Sequence, residues 1–243
     1  MALSDLLAMI ARMFGARDVA SVPVASPPVT APAAPGMATA ADVPASIPAA
    51  MPIVEPAQKF VLTPELLASA ADITQARALP WVGPLTYAMT RYSIDTPARA
   101  AAFIAQLAHE SVKFAYTKEI WGPTEAQRAY EPPSEKAADL GNTQPGDGLR
   151  FCGRGLIQIT GRANYQACGK SLGLDLIANP ELLERAEYAA ASAGWFWDAH
   201  GLNVFADSGD FVTLTRRING GTNGLADRED LWASCKTSFG ATV

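Results

Sequence analysis

The sequence predicts a mainly helical domain that follows a proline- and alanine-rich linker. Two observations favour helices. Apolar residues recur at intervals of three and four through most of the chain, and the pairs Thr63-Pro64 and Thr96-Pro97 each place a capping residue before a proline at the first helical position. A third observation limits β structure: only "LIQIT" (156–160) alternates with a period of two, which predicts at most one short strand.

The N-terminal quarter of the chain differs in composition from the rest. Residues 1–18 can place their apolar side chains on one helical face, so we expect a short amphipathic leader. Asp5 and Arg12 make this leader a poor secretory signal. Residues 19–58 are rich in proline and alanine and carry few charges, a composition typical of a semi-extended, disordered linker. We therefore place the folded domain at residues 59–243.

Capping residues and apolar periodicity define the expected helices of this domain. Asn179, which precedes Pro180, is an expected cap for one of them. The segment 120–162 is rich in Gly, Pro, Asn and Asp and is predicted to be mostly loop. A long ordered loop region in a helical domain is usually functional, so we expect substrate to bind there. The expected helices span about 63–72, 75–91, 96–113, 163–173, 180–199, 209–218 and 223–235.

Composition and charge exclude several classes of partner. The chain has 243 residues, 49% of them hydrophobic, which is enough to bury a sizeable core. A net charge of -5 gives no basic footprint for nucleic acid, and no apolar run reaches the roughly 18–20 residues of a membrane span. We expect neither a nucleic-acid partner nor stable membrane insertion.

Cysteine and histidine usage predicts reduced thiols and no metal. Cys152, Cys168 and Cys235 show no paired spacing, and an odd number of cysteines argues against a disulfide scaffold. The two histidines, His109 and His200, lie in neither an HxxxH nor a CxxC arrangement. We therefore expect no metal site and no cofactor.

Glu110 is the first candidate for chemistry. It lies on the apolar face of the helix expected over 96–113, in line with Leu107. Loss of hydration disfavours the charged form of a carboxyl group, and a carboxyl group that keeps its proton near neutrality can act as a general acid. The alternative is a structural glutamate that pairs with an arginine such as Arg154 or Arg162.

A second acid, Glu119, follows in the polar stretch "KFAYTKEIW" (113–121), where we expect it to be solvated. A solvated carboxylate opposite a desolvated one is the pattern of glycosidases, in which one group acts as acid and the other as base. The alternative for Glu119, taken alone, is an ordinary surface acid.

The segment "GNTQPGDGLRFCGRGLIQITGRANY" (141–165) combines glycines with uncharged hydrogen-bonding side chains, among them Gln158, Thr160 and Asn164. Glycines permit tight turns and close approach of the backbone to a ligand. Amides and hydroxyls suit the hydroxyl and N-acetyl groups of neutral sugars. No GxxxxGK[ST] phosphate loop is present. The alternative is a glycine-rich segment that only forms turns and binds no ligand.

Further candidates lie downstream and among the aromatic residues. In "INGGTNGLADRE" (218–229), Asn219 falls at an expected helix end, and Arg228 can hold a carboxylate through two hydrogen bonds. The aromatic run at 195–197 is expected in the core. The residues expected to offer platforms for sugar rings are Tyr116, Trp121 and Tyr165.

The motifs "AHES", "YTKE", "GNTQPGDG", "CGRGLIQITGRANY" and "INGGTNG", in this order within about 62–236, resemble the catalytic domain of family 19 glycoside hydrolases, and within that family the phage and prophage endolysin branch. The resemblance implies a bilobal, lysozyme-like helical fold with a sugar cleft between the lobes. It also implies Glu110 as general acid and Glu119 as base of an inverting mechanism, with Thr160 helping to place the water.

The resemblance and the neighbouring motifs also give a set of expected substrate contacts. Arg228 falls on a family position that pairs with a cleft carboxylate, which we expect to be Glu119. The expected substrate-binding residues are His109, Tyr116, Gln158, Asn164, Tyr165, Asn219 and Arg228.

The sequence thus predicts an endo-acting, inverting glycosidase that cleaves β-1,4 bonds in the glycan strands of bacterial peptidoglycan. Chitin is the alternative substrate, since both polymers contain N-acetylglucosamine. Alternatives of other classes are a non-catalytic sugar-binding module and a cysteine peptidase that uses Cys152 and His109. We expect a monomer that is made in the bacterial cytoplasm without a clear secretory signal and acts at the cell wall or periplasm after release by another protein.

Overall fold

The computed structural model describes residues 60–241, and the leader and linker expected over 1–18 and 19–58 lie outside the described residues. The mainly helical fold class is confirmed. None of the helices between residues 60 and 241 is long and apolar enough to cross a membrane. In chain order the helices are α1 (Pro64–Ala71), α2 (Gln75–Arg91), α3 (Pro97–Glu110), α4 (Glu125–Arg128), α5 (Glu135–Asp139), α6 (Asp147–Arg150), α7 (Arg162–Leu172), the 3₁₀ helix Pro180–Glu184, α8 (Ala186–Ala199), α9 (Asn203–Ser208), α10 (Phe211–Asn219) and α11 (Leu225–Phe239).

The threonine–proline starts of α1 and α3 form as expected. The hydroxyl of Thr63 accepts a hydrogen bond from the amide of Leu66 at 3.2 Å, and that of Thr96 accepts one from the amide of Arg99 at 3.2 Å. Asn179 does not cap a helix. It stands at the N-cap position of the 3₁₀ helix Pro180–Glu184, but its side chain donates to the carbonyl of Asp175 and makes no capping hydrogen bond, and α8 begins only at Ala186.

Helix α3 runs through the centre of the core. Every residue from Ala100 to Glu110 is buried, and the many alanines let neighbouring helices approach closely. Helix α3 packs against α11, α1 and α9, and α2 packs against α8. The ring of Trp197 is fully buried and meets Phe103 edge to face at 5.2 Å, as expected for a core role of this aromatic run.

The segment between α3 and α7 carries the short helices α4, α5 and α6 rather than loop alone. The segment "LIQIT" forms no strand and contributes one isolated bridge, in agreement with at most a short β element. Arg154 forms isolated bridges to Lys118 and to Ile159, because the chain turns back on itself between them. Positive φ angles at Gly155 (80°) and Gln158 (58°) make that turn possible.

This turn lies directly on α8. A Cβ atom at Gly155 would come within 2.7 Å of the hydroxyl oxygen of Ser192, so a larger residue would push the turn away from the helix. The amide of Leu156 donates to the carbonyl of Ala189 at 3.4 Å. Helix α8 therefore fixes the position of the glycine-rich segment.

All three cysteines are free and buried, which confirms the expectation of unpaired thiols. Burial raises the pKa of the Cys168 thiol to about 12. These side chains serve as small apolar core residues.

Candidate active site

Glu110 is the last residue of α3 and is buried between α3 and α11. Its Oε1 accepts a hydrogen bond from Nη2 of Arg228 at 2.6 Å, and both side chains are 2–3% exposed. The expected pairing of Arg228 with Glu119 is therefore wrong. The other two arginines considered as partners bind elsewhere: Arg154 pairs with Glu184, and Arg162 pairs with Asp147.

Arg228 is itself held by the side chain of Gln106 and by a loop carbonyl, and each of these is held by a further side chain. Its Nη1 donates to Oε1 of Gln106, and the amide of Gln106 donates to the hydroxyl of Thr215 at 2.8 Å. The carbonyl of Asn223 accepts from Nε of Arg228 at 3.2 Å and from the side-chain amide of Asn219 at 2.9 Å. The guanidinium is thus oriented by α3, by α10 and by the turn before α11.

Sequence reasoning missed Gln106 and Thr215. Gln106 lies one helical turn before Glu110 on α3 and is fully buried among alanines, so its spacing was a usable signal. Thr215 gave no such signal, because its partner is distant in sequence.

Glu119 is buried rather than solvated, which corrects the expectation for this residue. Its Oε1 accepts a hydrogen bond from the side-chain amide of Gln127 at 2.9 Å, and its Oε2 accepts one from the amide of Gly153 at 2.9 Å. The amide of Glu119 in turn donates to the carbonyl of Gly153 at 2.8 Å. Within residues 60–241 no cationic side chain forms an ion pair with Glu119.

Gly153 is the point at which three of the expected site residues converge. A Cβ atom there would lie 2.7 Å from Oε1 of Gln158, 3.3 Å from Oε2 of Glu119 and 3.3 Å from Oγ1 of Thr160. The hydroxyl of Thr160 donates to the carbonyl of Gln158 at 2.9 Å and is partly exposed. The glycine lets the three polar side chains share a small space.

Asn164 and Tyr116 remain accessible at the edge of this cluster. Asn164 is exposed near the start of α7, and its amide donates to the carbonyl of Thr160 at 2.8 Å. Tyr116 is partly exposed. So is Trp121, whose ring centroid lies 6.3 Å from that of Tyr130. These side chains have surface that a sugar ring can contact.

Tyr165 is wrong as a sugar platform because its side chain is completely buried. Its hydroxyl donates to the carbonyl of Cys152 at 2.6 Å and accepts from Nη1 of Arg154 at 3.0 Å. Burial raises the pKa of Tyr165 well above its usual range. This tyrosine supports the glycine-rich segment from its buried side, through Cys152 and Arg154.

His109 is also buried, and its partners are protein groups. Its Nδ1 lies 2.5 Å from Oδ2 of Asp227, and the hydrogen bond from His109 lowers the pKa of that carboxyl group. A Cβ atom at Gly224 would lie 2.4 Å from Cε1 of His109, so the ring is covered by the turn before α11. Together with the buried Asn219 and Arg228, His109 supports the site instead of offering surface to a substrate.

The geometry argues against a cysteine peptidase. Burial raises the pKa of the Cys152 thiol, whereas a nucleophilic cysteine requires a lowered pKa and access to substrate. Nδ1 of the buried His109 is already hydrogen-bonded to Asp227. In the part of the chain that the structure describes, no group of three or more His, Cys, Asp or Glu side chains is arranged to hold a metal ion.

A surface cavity of about 460 Å³ lies apart from these residues, between α2 and α8. It is lined by Tyr87, Arg91 and Tyr188 among others, and by none of the expected site residues. The chemistry therefore points to Glu110 and Glu119 with their partners, not to this cavity.

Comparison with protein families identifies the chain's relatives. The family described as chitinase class I, glycoside hydrolase family 19, matches residues 65–208. A glycosyl hydrolase family 19 domain-containing protein of Haemophilus influenzae is 35% identical over 155 residues, which are 54% of this chain and 76% of that protein. An endochitinase of Arabidopsis thaliana is 41% identical over 122 residues, which are 50% of this chain and only 39% of the plant protein.

Two solved structures share the fold. Chitinase C from Streptomyces griseus HUT6037 matches with a TM-score of 0.58 and 25% identity, over 75% of this chain and 78% of that chain. A bacterial family 19 chitinase matches with a TM-score of 0.59 and 22% identity, over 75% of this chain and 97% of that chain.

Membership in the endolysin branch of the family stays a prediction. The family match, the Haemophilus relative and the shared fold agree, and the chain belongs to glycoside hydrolase family 19.

Proposed function

We propose that this protein hydrolyses β-1,4 bonds of N-acetylated glycans with Glu110 and Glu119 as its two working carboxyl groups. The observation that carries the proposal is the different environment of these two buried acids. Glu110 faces a buried guanidinium, whereas Glu119 faces only neutral donors. Two carboxyl groups held in unlike environments are what acid and base roles require.

Glu110 fits the role of general acid. Burial opposes ionisation of its carboxyl group, while Arg228 stabilises the carboxylate that forms once the proton has passed to the leaving oxygen. The negative charge that develops on Glu110 is therefore met by a guanidinium already in place, which lowers the cost of the transfer.

Glu119 and Thr160 fit the water side of the reaction. Both oxygens of Glu119 accept hydrogen bonds, which hold the carboxyl group in one orientation. The Thr160 hydroxyl donates to the Gln158 carbonyl, so its lone pairs stay available to accept a hydrogen bond from a water molecule. Attack by that water from the side opposite the acid gives inversion.

Within this substrate class we propose the glycan strands of peptidoglycan as the polymer, cut at internal bonds. The motif resemblance to endolysins supports this choice. A protein with this activity acts at the cell wall or periplasm, which it reaches by release through another protein. Chitin is the second candidate, favoured because relatives such as the Arabidopsis and Streptomyces proteins are named as chitinases.

The deciding experiment compares two insoluble polymers. The full-length protein is incubated with purified peptidoglycan and with colloidal chitin, and new reducing ends are counted over time. Glu110→Gln serves as the inactive control on both. Release from peptidoglycan alone supports the endolysin proposal, and release from chitin alone replaces it with the second candidate. Release from neither contradicts the proposed function.

A further inference from the structure

The side chain of Gln127 uses all of its hydrogen-bonding capacity beside Glu119. Its Oε1 accepts from the amide of Thr124 at 2.8 Å and from the amide of Gly122 at 3.2 Å. Its Nε2 donates to Oε1 of Glu119 at 2.9 Å and to the carbonyl of Ile120 at 2.9 Å. A buried side-chain amide with four satisfied contacts is rigidly held.

These contacts fix which end of the Gln127 amide faces Glu119. Turning the amide over would set its oxygen against the oxygens of Glu119 and Ile120, and its NH₂ group against the backbone donors of Thr124 and Gly122. Both ends would then be mismatched. The capping box of α4, formed by Thr124 and Gln127, therefore dictates that an NH₂ group points at Glu119.

The consequence for Glu119 is that each of its oxygens faces a group that can only donate. Oε1 faces the Gln127 NH₂ group, and Oε2 faces the amide of Gly153. The two donors therefore hold the carboxyl group of Glu119 in one orientation without using a positive charge.

The charged groups that neighbour Glu119 contact other partners. Lys118 and Arg154 both pair with Glu184, at 3.2 and 2.8 Å, so two cations share one carboxylate. On α4 the guanidinium of Arg128 donates to the carbonyl of Pro123, and the carboxyl group of Glu125 is exposed. The buried thiol of Cys152 interacts electrostatically with Glu119, whereas Glu110 and Arg228 pair with each other.

We infer that Gln127 is a positioning residue for the reaction, one that holds the carboxyl group of Glu119 in one orientation so that it can accept a proton from water. This inference rests on the proposed function of Glu119 as base. It adds that one side chain sets both the helix cap of α4 and the orientation of the base.

The test is Gln127→Glu, because the new carboxylate can still accept from the amides of Thr124 and Gly122 and so keep the cap. Toward Glu119, however, it presents an acceptor where a donor stood. Two carboxylates at hydrogen-bond distance share a proton, so the acidic limb of the kcat/KM profile should move to higher pH by about one unit or more. The substrate is the soluble glycan that the wild type cleaves.

Two controls separate positioning from general effects. Gln166→Glu introduces the same charge at an exposed position on α7 and should leave the acidic limb in place. Thr124→Ala removes the hydroxyl that accepts a hydrogen bond from the backbone amide of Gln127. It should lower the melting temperature by a few degrees without moving the acidic limb of the kcat/KM profile. If Gln127→Glu does not fold, Gln127→Met removes the donor without adding charge and should shift the limb in the same direction.

A measurement independent of activity keeps this inference separable from the proposed function. The side-chain carboxyl carbon of Glu119 is titrated by NMR in the wild type and in Gln127→Glu, with Glu119→Gln to assign the signal. Protonation at higher pH in Gln127→Glu supports the inference even if no glycan is cleaved. An unchanged titration together with an unchanged acidic limb overturns it.

Discussion

At the scale of single residues, the site depends on side chains that never reach the surface. Arg228 is 2% exposed, and it binds Glu110 and Gln106 although it lies more than a hundred residues from both in sequence. The sequence predicted the burial of Glu110 because that position lies on an apolar helical stripe. It could not predict the burial of Glu119, whose donors come from a short helix and a glycine distant in the chain.

Replacing Glu110 with glutamine should lower kcat by at least ~10²-fold, the lower end of typical general-acid contributions. The fold should survive, because the amide oxygen of glutamine can still accept from Arg228. Turnover on a soluble glycan and a thermal melt measure the two effects. A variant with near wild-type turnover would remove Glu110 from the role of acid.

Replacing Arg228 with alanine should cost stability as well as activity. It leaves Oε1 of Glu110 and Oε1 of Gln106 buried without this donor, and each buried hydrogen-bonding group that loses its partner costs about 1–3 kcal/mol. Lysine should recover only part of the loss, since a point charge cannot contact Glu110, Gln106 and Asn223 together. Urea unfolding measures the change, with the exposed Arg217→Ala on α10 as control. A loss in the free energy of unfolding no larger than that of Arg217→Ala would contradict this account.

At the scale of elements, the first three helices were predictable and the short helices between α3 and α7 were not. Helices α1, α2 and α3 carry caps and several turns of apolar periodicity, and they begin within one residue of the expected positions. Helices α4, α5 and α6 have at most five residues each, too few to show a period of 3.6. Their positions depend on tertiary contacts such as the pair of Arg162 with Asp147, which links α7 to α6.

That pair should make stability depend on pH. Burial alone would raise the pKa of Asp147, but Arg162 and the amides of Gln144 and Thr143 together lower it below its usual value. A carboxyl group with a lowered pKa stabilises the fold above its unfolded-state pKa, and that contribution is lost as the pH falls through the folded-state pKa. Asp147→Asn should therefore be less stable than wild type at pH 7.

The same comparison in acid provides the check. Urea unfolding at a series of pH values should show the difference between wild type and Asp147→Asn shrinking as the pH falls below about 4, the ordinary range of an aspartate. A difference that stays constant from pH 7 to pH 3 would show that Asp147 acts through its shape and not through its charge.

At the scale of the whole molecule, the first and last described elements close the domain on itself. The rings of Phe60 and Phe239 lie 4.8 Å apart, and α11 packs against α1. The thiol of Cys235 lies 3.6 Å from the carbonyl oxygen of Ala70. The domain boundary near residue 59 stays a prediction from composition, whereas the contact between Phe60 and Phe239 could be found only in the folded structure.

Deleting residues 1–58 should leave a domain that melts cooperatively near the full-length temperature, since Phe60 and the buried Leu62 remain. Deleting residues 1–62 is the matched control. It removes both side chains and should lower stability by about 2–5 kcal/mol. Scanning calorimetry of the three proteins measures the effect. Equal melting temperatures for the two truncated proteins would place the boundary elsewhere.

The contact between Phe60 and Phe239 also makes this domain suitable for circular permutation. Two ends that lie side by side can be joined by a short linker, and new ends can then be opened in an exposed loop. A circular permutant of this kind would keep Glu110, Glu119 and Arg228 in the same positions while changing their order along the chain. By the same geometry, the domain can be inserted into a surface loop of another protein without separating the ends of its host.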